Sequence, residues 1–496
     1  MRQKIFTYTI IGFLIISHHV TLFAQNNNDS GAPALSAIQM EDLKRDLIAL
    51  CDDHFLGRKA GTIDELRAAA WLTDRMRETG MQAAGEDGTF TQFFNLSRKV
   101  VMPTTRIAID GRSFKLWSEV IILGQTHVNL DAPTVYVGKA TPEEVKNMDL
   151  KGKAVIMEAH FDGSDLGRQL FFLRYSGEVL QPYYDIFREK GVVAVIMVAD
   201  DYFESNWNKV AYTRRSGSTS LTGPRDQVSE GGMPILWVHS SEREAMQQVK
   251  GNLIADIRVE QYLFPSVNLV GKIEGTDPQL KNEYVVLSGH HDYLGIQAPI
   301  GNDSICNGAD DNGSVCVALL AMARAFKEKP SKRSILFIIH GAEEMSMLGA
   351  RWFAAHPTVP FESMVAVLNG DLIANNHPDS AAVLGCSDAH RTSNYLVEAV
   401  LAANQEGPKF KLDQKWDKAD HPEYFYYRSD HAPYASRGVP VLFFTTLLHP
   451  LYHTPLDDVD HIDFNKLYRM TEWMYRTAWK VANHHERPDV IVRSKE

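Results

Sequence analysis

The residues of this chain with the most chemical content are imidazoles and carboxylates, gathered in five short clusters. Gly289-His290-His291-Asp292 follows the apolar run 284–287, and Gly308-Ala309-Asp310-Asp311-Asn312-Gly313-Ser314 leads into an apolar-rich run. Gly341-Ala342-Glu343-Glu344 follows 335–339, Asn369-Gly370-Asp371 follows 365–368, and Tyr452-His453-Thr454-Pro455-Leu456-Asp457 lies further on. Taken singly, each has a plain structural explanation: a surface His-Asp pair, a capped helix start, a solvated acidic turn, a lone turn former. Two adjacent glutamates at a buried strand end are harder to explain, because their charge is costly there unless a cation or proton compensates it. Adjacent side chains diverge, so one glutamate can bind a metal while the other acts as general base toward a water. On a strand, residues two apart share a face. His290 and Asp292 can therefore point the same way, with Asp292 placed to receive the second N–H of a metal-binding imidazole. Oxygen and imidazole ligands together suit zinc, with manganese or cobalt as chemical alternatives. Two such ions share a bridging carboxylate and activate water for hydrolysis near neutral pH. A second histidine would complete the set; His453 competes for that place with His431, His449 and His461.

These clusters need a frame that brings them together. Apolar strand-like runs at 284–287, 335–339, 365–368 and 441–444 alternate with helical patterns at 314–326, 348–355, 393–403 and 464–482. The alternation predicts an α/β fold: a mostly parallel central sheet with helices on both faces. In such sheets, sites form outside the carboxyl ends of the strands, which is where the clusters fall. Two further amphipathic helices are read at 36–51 and 62–81, the second capped by Thr62 with Glu65 three residues on. From about 99 to 264 the texture changes to short β-type runs such as Ala154-Val155-Ile156-Met157, separated by Gly, Asp and Ser turns. This stretch reads as a separate, strand-rich module.

At the clusters, the sequence resembles the co-catalytic zinc exopeptidases of the bacterial leucyl aminopeptidase, aminopeptidase Y and glutamate carboxypeptidase II family. Gly289-His290-His291-Asp292 resembles the family's Gly-His-x-Asp, and Asp311-Asn312-Gly313-Ser314 its Asp-Asn-Gly-Ser. Glu343-Glu344, Tyr452-His453-Thr454 and the upstream Leu56-Gly57-Arg58-Lys59-Ala60-Gly61 match as well. The resemblance implies two Zn²⁺ per chain, with His290 and Asp371 on one, Glu344 and His453 on the other, and Asp311 bridging. It implies Glu343 as general base, Asp292 orienting His290, and a cis peptide at Asp311-Asn312. Ser429-Asp430-His431 resembles another family segment, which makes Tyr426 the candidate oxyanion stabiliser. The family often has glycine after Asp-Asn-Gly-Ser; Val315 stands there instead and is expected to alter packing more than chemistry. The middle module resembles an inserted protease-associated domain through Lys151-Gly152-Lys153-Ala154-Val155 and Gly191-Val192-Val193-Ala194-Val195. The implied organisation is a discontinuous peptidase domain, 30–100 and 265–490, around a β-rich insert at 101–264.

Composition sets the outer bounds. The chain has 496 residues, 44% hydrophobic and 23% charged, with a net charge of −11. That is ordinary globular content and carries no basic footprint for nucleic acid. Arg2 and Lys4, the apolar stretch 10–16 and Ala24 before a polar run have the grammar of a signal peptide at 1–24. Export after cleavage near Ala24 is expected, with no membrane association of the mature form. Four cysteines, Cys51, Cys306, Cys316 and Cys386, are too few for a disulfide scaffold. The expected function is an aminopeptidase acting on peptide substrates through metal-activated water. The alternatives are a glutamate carboxypeptidase-type enzyme, a single-zinc glutaminyl cyclase, and a non-catalytic binding protein on the same scaffold.

Overall fold

Val441–Thr445, Met364–Gly370, Tyr284–His290 and Ser334–His340 lie side by side in that order, all parallel, at the centre of the computed structural model. The structure describes residues 34–163, 171–223 and 227–491; the expected leader at 1–24 lies outside them. These strands are nearly continuous apolar runs because both of their faces are covered. Val285 and Leu287 enter one core with the helices Met40–Leu50, Ile63–Glu78, Ser314–Glu328, Asn394–Glu406 and Phe464–Asn483. Val286 points the other way, into a core with Leu348–Ala355 and the aromatic residues Phe425, Tyr426 and Tyr434. Antiparallel strands extend both edges: Ser380–Leu384 on one side, Val259–Ile273 and Thr91–Val101 on the other. The full sheet has ten strands.

The strands run further than their apolar stretches. Tyr284–His290 and Ser334–His340 both continue through a terminal histidine, and the His291 amide still donates to His340 O at 2.9 Å. Main-chain pairing is indifferent to side-chain polarity, so the ladder carries His290 to its last rung. At the N-terminal side, Thr62 caps Ile63–Glu78 by accepting from the Glu65 amide. The Glu65 carboxylate does not close a capping box; it turns to Ser266 and the Gly61 amide instead.

The chain leaves this sheet along Thr91–Val101 and returns along Val259–Ile273, paired from Val101↔Val259 to Thr91↔Leu269. Between them lies a second, eight-stranded sheet with its own apolar cores. Its centre is parallel: Val128–Gly138, Ala154–Glu158, Ala194–Val198 and Ile235–Val238. Helices Tyr175–Glu189 and Trp207–Arg215 accompany it, so this region is itself α/β rather than simply strand-rich. The long paired strands run through the expected boundaries at 100/101 and 264/265. Ser218–Leu221, from within the middle region, adds an edge strand to the ten-stranded sheet. Its Ser-Thr-Ser-Leu sequence has no apolar alternation by which to recognise it. Among the described residues no helix is long and apolar enough to cross a membrane. All four cysteines are free.

Val315, the departure from the family pattern, packs between two strand ends. A methyl on Gly289 would meet Val315 Cγ1 at 2.5 Å, and one on Gly370 would meet Val315 Cγ2 at 3.0 Å. Gly289→Ala is therefore expected to destabilise the fold by about 1–3 kcal/mol through overpacking. The loss should appear as a lower denaturant midpoint at unchanged slope, and Val315→Ala in the same chain should recover part of it.

Candidate metal centre

The carboxyl ends of the central strands deliver the polar groups. His290 is the last residue of its strand, Asp371 directly follows Met364–Gly370, and Glu343 and Glu344 follow Ser334–His340. Asp311 sits in the turn before Ser314–Glu328, and its peptide bond to Asn312 is cis. His453 comes from the loop after Val441–Thr445. His290, Asp311 and Asp371 offer ligand atoms within 4.8 Å of one another, and so do Asp311, Glu344 and His453. Asp311 belongs to both groups, with one oxygen for each. Its Oδ1 is 3.3 Å from His290 Nε2, and its Oδ2 is 3.4 Å from His453 Nε2. Asp371 Oδ2 lies 3.6 Å from His290 Nε2, and Glu344 Oε2 lies 3.1 Å from His453 Nε2. Glu343 Oε2 is 3.8 Å from His290 Nε2, beside the first group but outside both.

This donor set fits a pair of cations. His290 Nε2 and Glu344 Oε1 are buried and have no hydrogen-bond partner, although carboxylates stand close by. Atoms that converge without bonding one another leave room for an ion between them, and the two-imidazole, three-carboxylate set has the chemistry zinc takes.

A second layer of contacts fixes the ligands. Ser429 donates from Oγ to Asp371 Oδ2 at 2.8 Å, and Asn369 donates to Ser429 at 2.8 Å. Asp457 accepts from the amides of Asp310 and Asp311 at 2.9 and 3.0 Å, clamping the turn that carries the shared carboxylate. Asn312 Nδ2 donates to Gly370 O at 3.0 Å, tying that turn to the strand before Asp371. Arg58 is 1% exposed, and its guanidinium donates to the carbonyls of His291, Leu50, Asn307 and Gly308. It thus bolts the N-terminal segment to the strand end of His290 and to the turn of Asp311.

Several sequence expectations need adjustment. Asp292 does not hold His290 through its carboxylate, whose Oδ1 is 3.8 Å from Nδ1. The imidazole meets the Asp292 main-chain oxygen at 3.1 Å instead. The carboxylate accepts instead from the amides of Glu343 and Glu344, at 2.9 and 3.3 Å. Tyr426 stacks on His390 with ring centroids 4.1 Å apart and lies edge-on to Tyr427 and His431. Two other tyrosines stand against the cluster: Tyr452 is stacked on His453 at 3.8 Å with its hydroxyl 3.2 Å from Arg428 Nη2, and the Tyr293 hydroxyl accepts from the His453 amide at 3.0 Å. Of the competing histidines, His449 faces Asp310 at 3.3 Å, His431 meets the Tyr426 carbonyl at 2.6 Å, and His461 is exposed. Asp457, Arg58, Ser429 and Arg428 act through tertiary contacts that no local spacing announces.

Charge in this enclosure is balanced by protons when no cation is present. Desolvation pulls the His290 imidazole down, but the facing Glu343, Asp311 and Asp371 carboxylates outweigh it and hold it well above its ordinary value. His453 is treated alike by Glu344 and Asp311 and is pushed up to about 10. Burial raises Glu343, Glu344 and Asp371, and takes Asp292 to about 7. Asp311 is the exception: burial pushes it up, but the two imidazoles that face it hold it well below the carboxylate range.

Comparison with known proteins places this site in a recognisable setting. Residues 268–478 match the model of Peptidase family M28. Aminopeptidase YwaD of Bacillus subtilis is 24% identical over 319 residues, which cover 61% of this chain and 65% of YwaD. The other curated relatives overlap less of their own length, 45% for the probable leucine aminopeptidase 2 of Aspergillus oryzae. The fold resembles that of an aminopeptidase from Aneurinibacillus sp. strain AM-1, with a TM-score of 0.58 and 16% identity over 93% of this chain and 98% of that one. A zinc aminopeptidase from Bacillus subtilis gives a TM-score of 0.56 and 19% identity over 91% and 98%.

Metal binding must displace the protons held by the imidazoles, since a ligating histidine is neutral. Because those pKa values are raised, Zn²⁺ added to the metal-free chain near neutral pH is expected to release at least about one proton. Apparent affinity should climb with pH, about tenfold per unit for each proton released, until His453 is itself deprotonated near pH 10. Calorimetry in buffers of different ionisation enthalpy counts the protons directly.

Proposed function

We propose that the chain, whose residues 268–478 match the model of Peptidase family M28, is a zinc-dependent aminopeptidase working with two metal ions. The observation that carries the reading is Asp311, whose two oxygens are divided between two histidine–carboxylate groups. His290, Asp311 and Asp371 would hold one zinc, and Asp311, Glu344 and His453 the other. Bound there, zinc supplies Lewis acidity that polarises a carbonyl and acidifies a water. Two separate ligand groups favour this over a single-zinc cyclase. YwaD and the two structural neighbours are aminopeptidases by name, which supports the aminopeptidase reading.

The chain's own residues supply the rest. Glu343 stands beside the first group without belonging to it, placed to take a proton from the attacking water and return it to the leaving nitrogen. Asp292 holds Glu343 and Glu344 in their divergent positions by accepting from both amides. The developing oxyanion is assigned to the Tyr452 hydroxyl, which lies against His453 and is held by Arg428, in preference to Tyr426. The middle region is read as a protease-associated insert that shapes access to the site, and the leader grammar of 1–24 supports export.

Glu343→Gln is expected to retain zinc and slow turnover by roughly 10²–10⁴, measured as kcat alongside metal content. Wild type should release residues one at a time from the amino end of peptides and fail on N-acetylated ones. Release from the carboxyl end instead would move the assignment to a carboxypeptidase.

A further inference from the structure

A cavity of about 530 Å³ opens beside the second ligand group. One wall is the loop 452–455, which carries Tyr452 and His453. A second comes from the two-stranded ribbon Gly295–Ile300 and Asp303–Cys306, through Pro299 and Ile300. The third comes from the middle region, through Phe172, Tyr202 and the Lys209 turn of helix Trp207–Arg215. The Tyr212 hydroxyl on that helix donates to Ile296 O at 2.7 Å, so middle region and ribbon are joined at the rim. The wall is mostly aromatic and aliphatic. Among the described residues that line it, Lys209 is the one Lys, Arg, Asp or Glu. Its Nζ lies 5.9 Å from the Phe172 ring centroid, and among the described residues it pairs with no carboxylate. The chain as a whole carries −11, and the metal cluster beside this cavity is built from carboxylates. A lone cation on the rim of an otherwise uncharged cavity is a selective feature: it favours an anionic group on whatever occupies the cavity.

We propose that this cavity is a substrate subsite for a residue that carries a carboxylate, with Lys209 as its anion contact and the aromatic walls holding its apolar part. The inference rests on the peptidase reading for its substrate class. The carboxylate has two possible sources, the peptide's own carboxyl terminus or an acidic side chain. A terminal source makes the protein favour dipeptides; a side-chain source makes it favour acidic residues within longer peptides.

Three substrates separate these: Ala-Ala, Ala-Glu-NH₂ and the carboxylate-free Ala-Ala-NH₂. Their kcat/KM values are compared for wild type, Lys209→Ala, Lys209→Glu and Lys209→Arg in the full zinc-loaded chain. Wild type is expected to prefer one carboxylate-bearing substrate over Ala-Ala-NH₂. Lys209→Ala should cut that ratio roughly 1.5- to fivefold, the range for a partly exposed ion pair. Lys209→Glu should cut it further, and Lys209→Arg should keep most of it. Calorimetric Kd values for the same peptides on Glu343→Gln, with and without the Lys209 changes, read the subsite without turnover. If wild type cleaves nothing while the calorimetric preference still follows residue 209, the peptidase reading fails and the subsite stands. If peptides are cleaved but the ratio is the same in wild type and Lys209→Glu, the subsite is overturned.

Discussion

Asp311 must present one oxygen to each of two imidazoles from distant parts of the chain while almost fully buried. An ionised carboxylate in that position is costly unless positive charge faces it on both sides. The site meets that demand with His290 and His453, and the surroundings exist to keep the turn still. Asp457 takes two successive amides of the turn, Asn312 ties it to Gly370, and Arg58 takes the carbonyls of Asn307 and Gly308 just before it. Arg58 is itself a buried charge with carbonyls in place of a carboxylate partner. Carbonyl dipoles satisfy the guanidinium without adding negative charge to the cluster.

The sheet explains why such residues meet. Parallel strands all end at the same edge, so chain that continues a few residues past each apolar stretch delivers polar groups at that edge. His290, Glu343 and Asp371 arrive this way from neighbouring strands. Val315 lies against Gly289 and Gly370 just beneath, where larger residues would push the strand ends apart. Packing and chemistry are therefore coupled at one layer: the last apolar contact of the core sits directly under the ligand atoms.

That coupling also decides what the sequence could and could not reveal. The central strands, their helices and the clusters at their ends were legible because an apolar run followed by His, Asp or Glu is unusual and local. What depended on main-chain geometry was not. The spacing makes the Asp292 carboxylate an imidazole partner, yet the amides of Glu343 and Glu344 donate to it at 2.9 and 3.3 Å while His290 Nδ1 stays 3.8 Å away. Tyr426 and Tyr452 are indistinguishable by residue type, and only the stacking of Tyr452 on His453 separates them. The parallel centre of the second sheet was hidden for a different reason: runs such as Ala154-Val155-Ile156-Met157 are equally consistent with any doubly covered strand.

The middle region bears on the site through the way it is attached. It leaves and rejoins the ten-stranded sheet through two long strands paired to each other, so its position is set by the same ladder that ends beside Ser334–His340. Ser218–Leu221 adds a third rung from within it. A module hung on a flexible linker could not hold Tyr212 at a fixed distance from Ile296, nor bring the Trp207–Arg215 helix beside the loop of His453. Continuous strands make it a fixed wall, so residues more than 200 positions before His453 contribute to the same cavity. Changes in the middle region can then alter the cavity wall without moving the strand that carries His290.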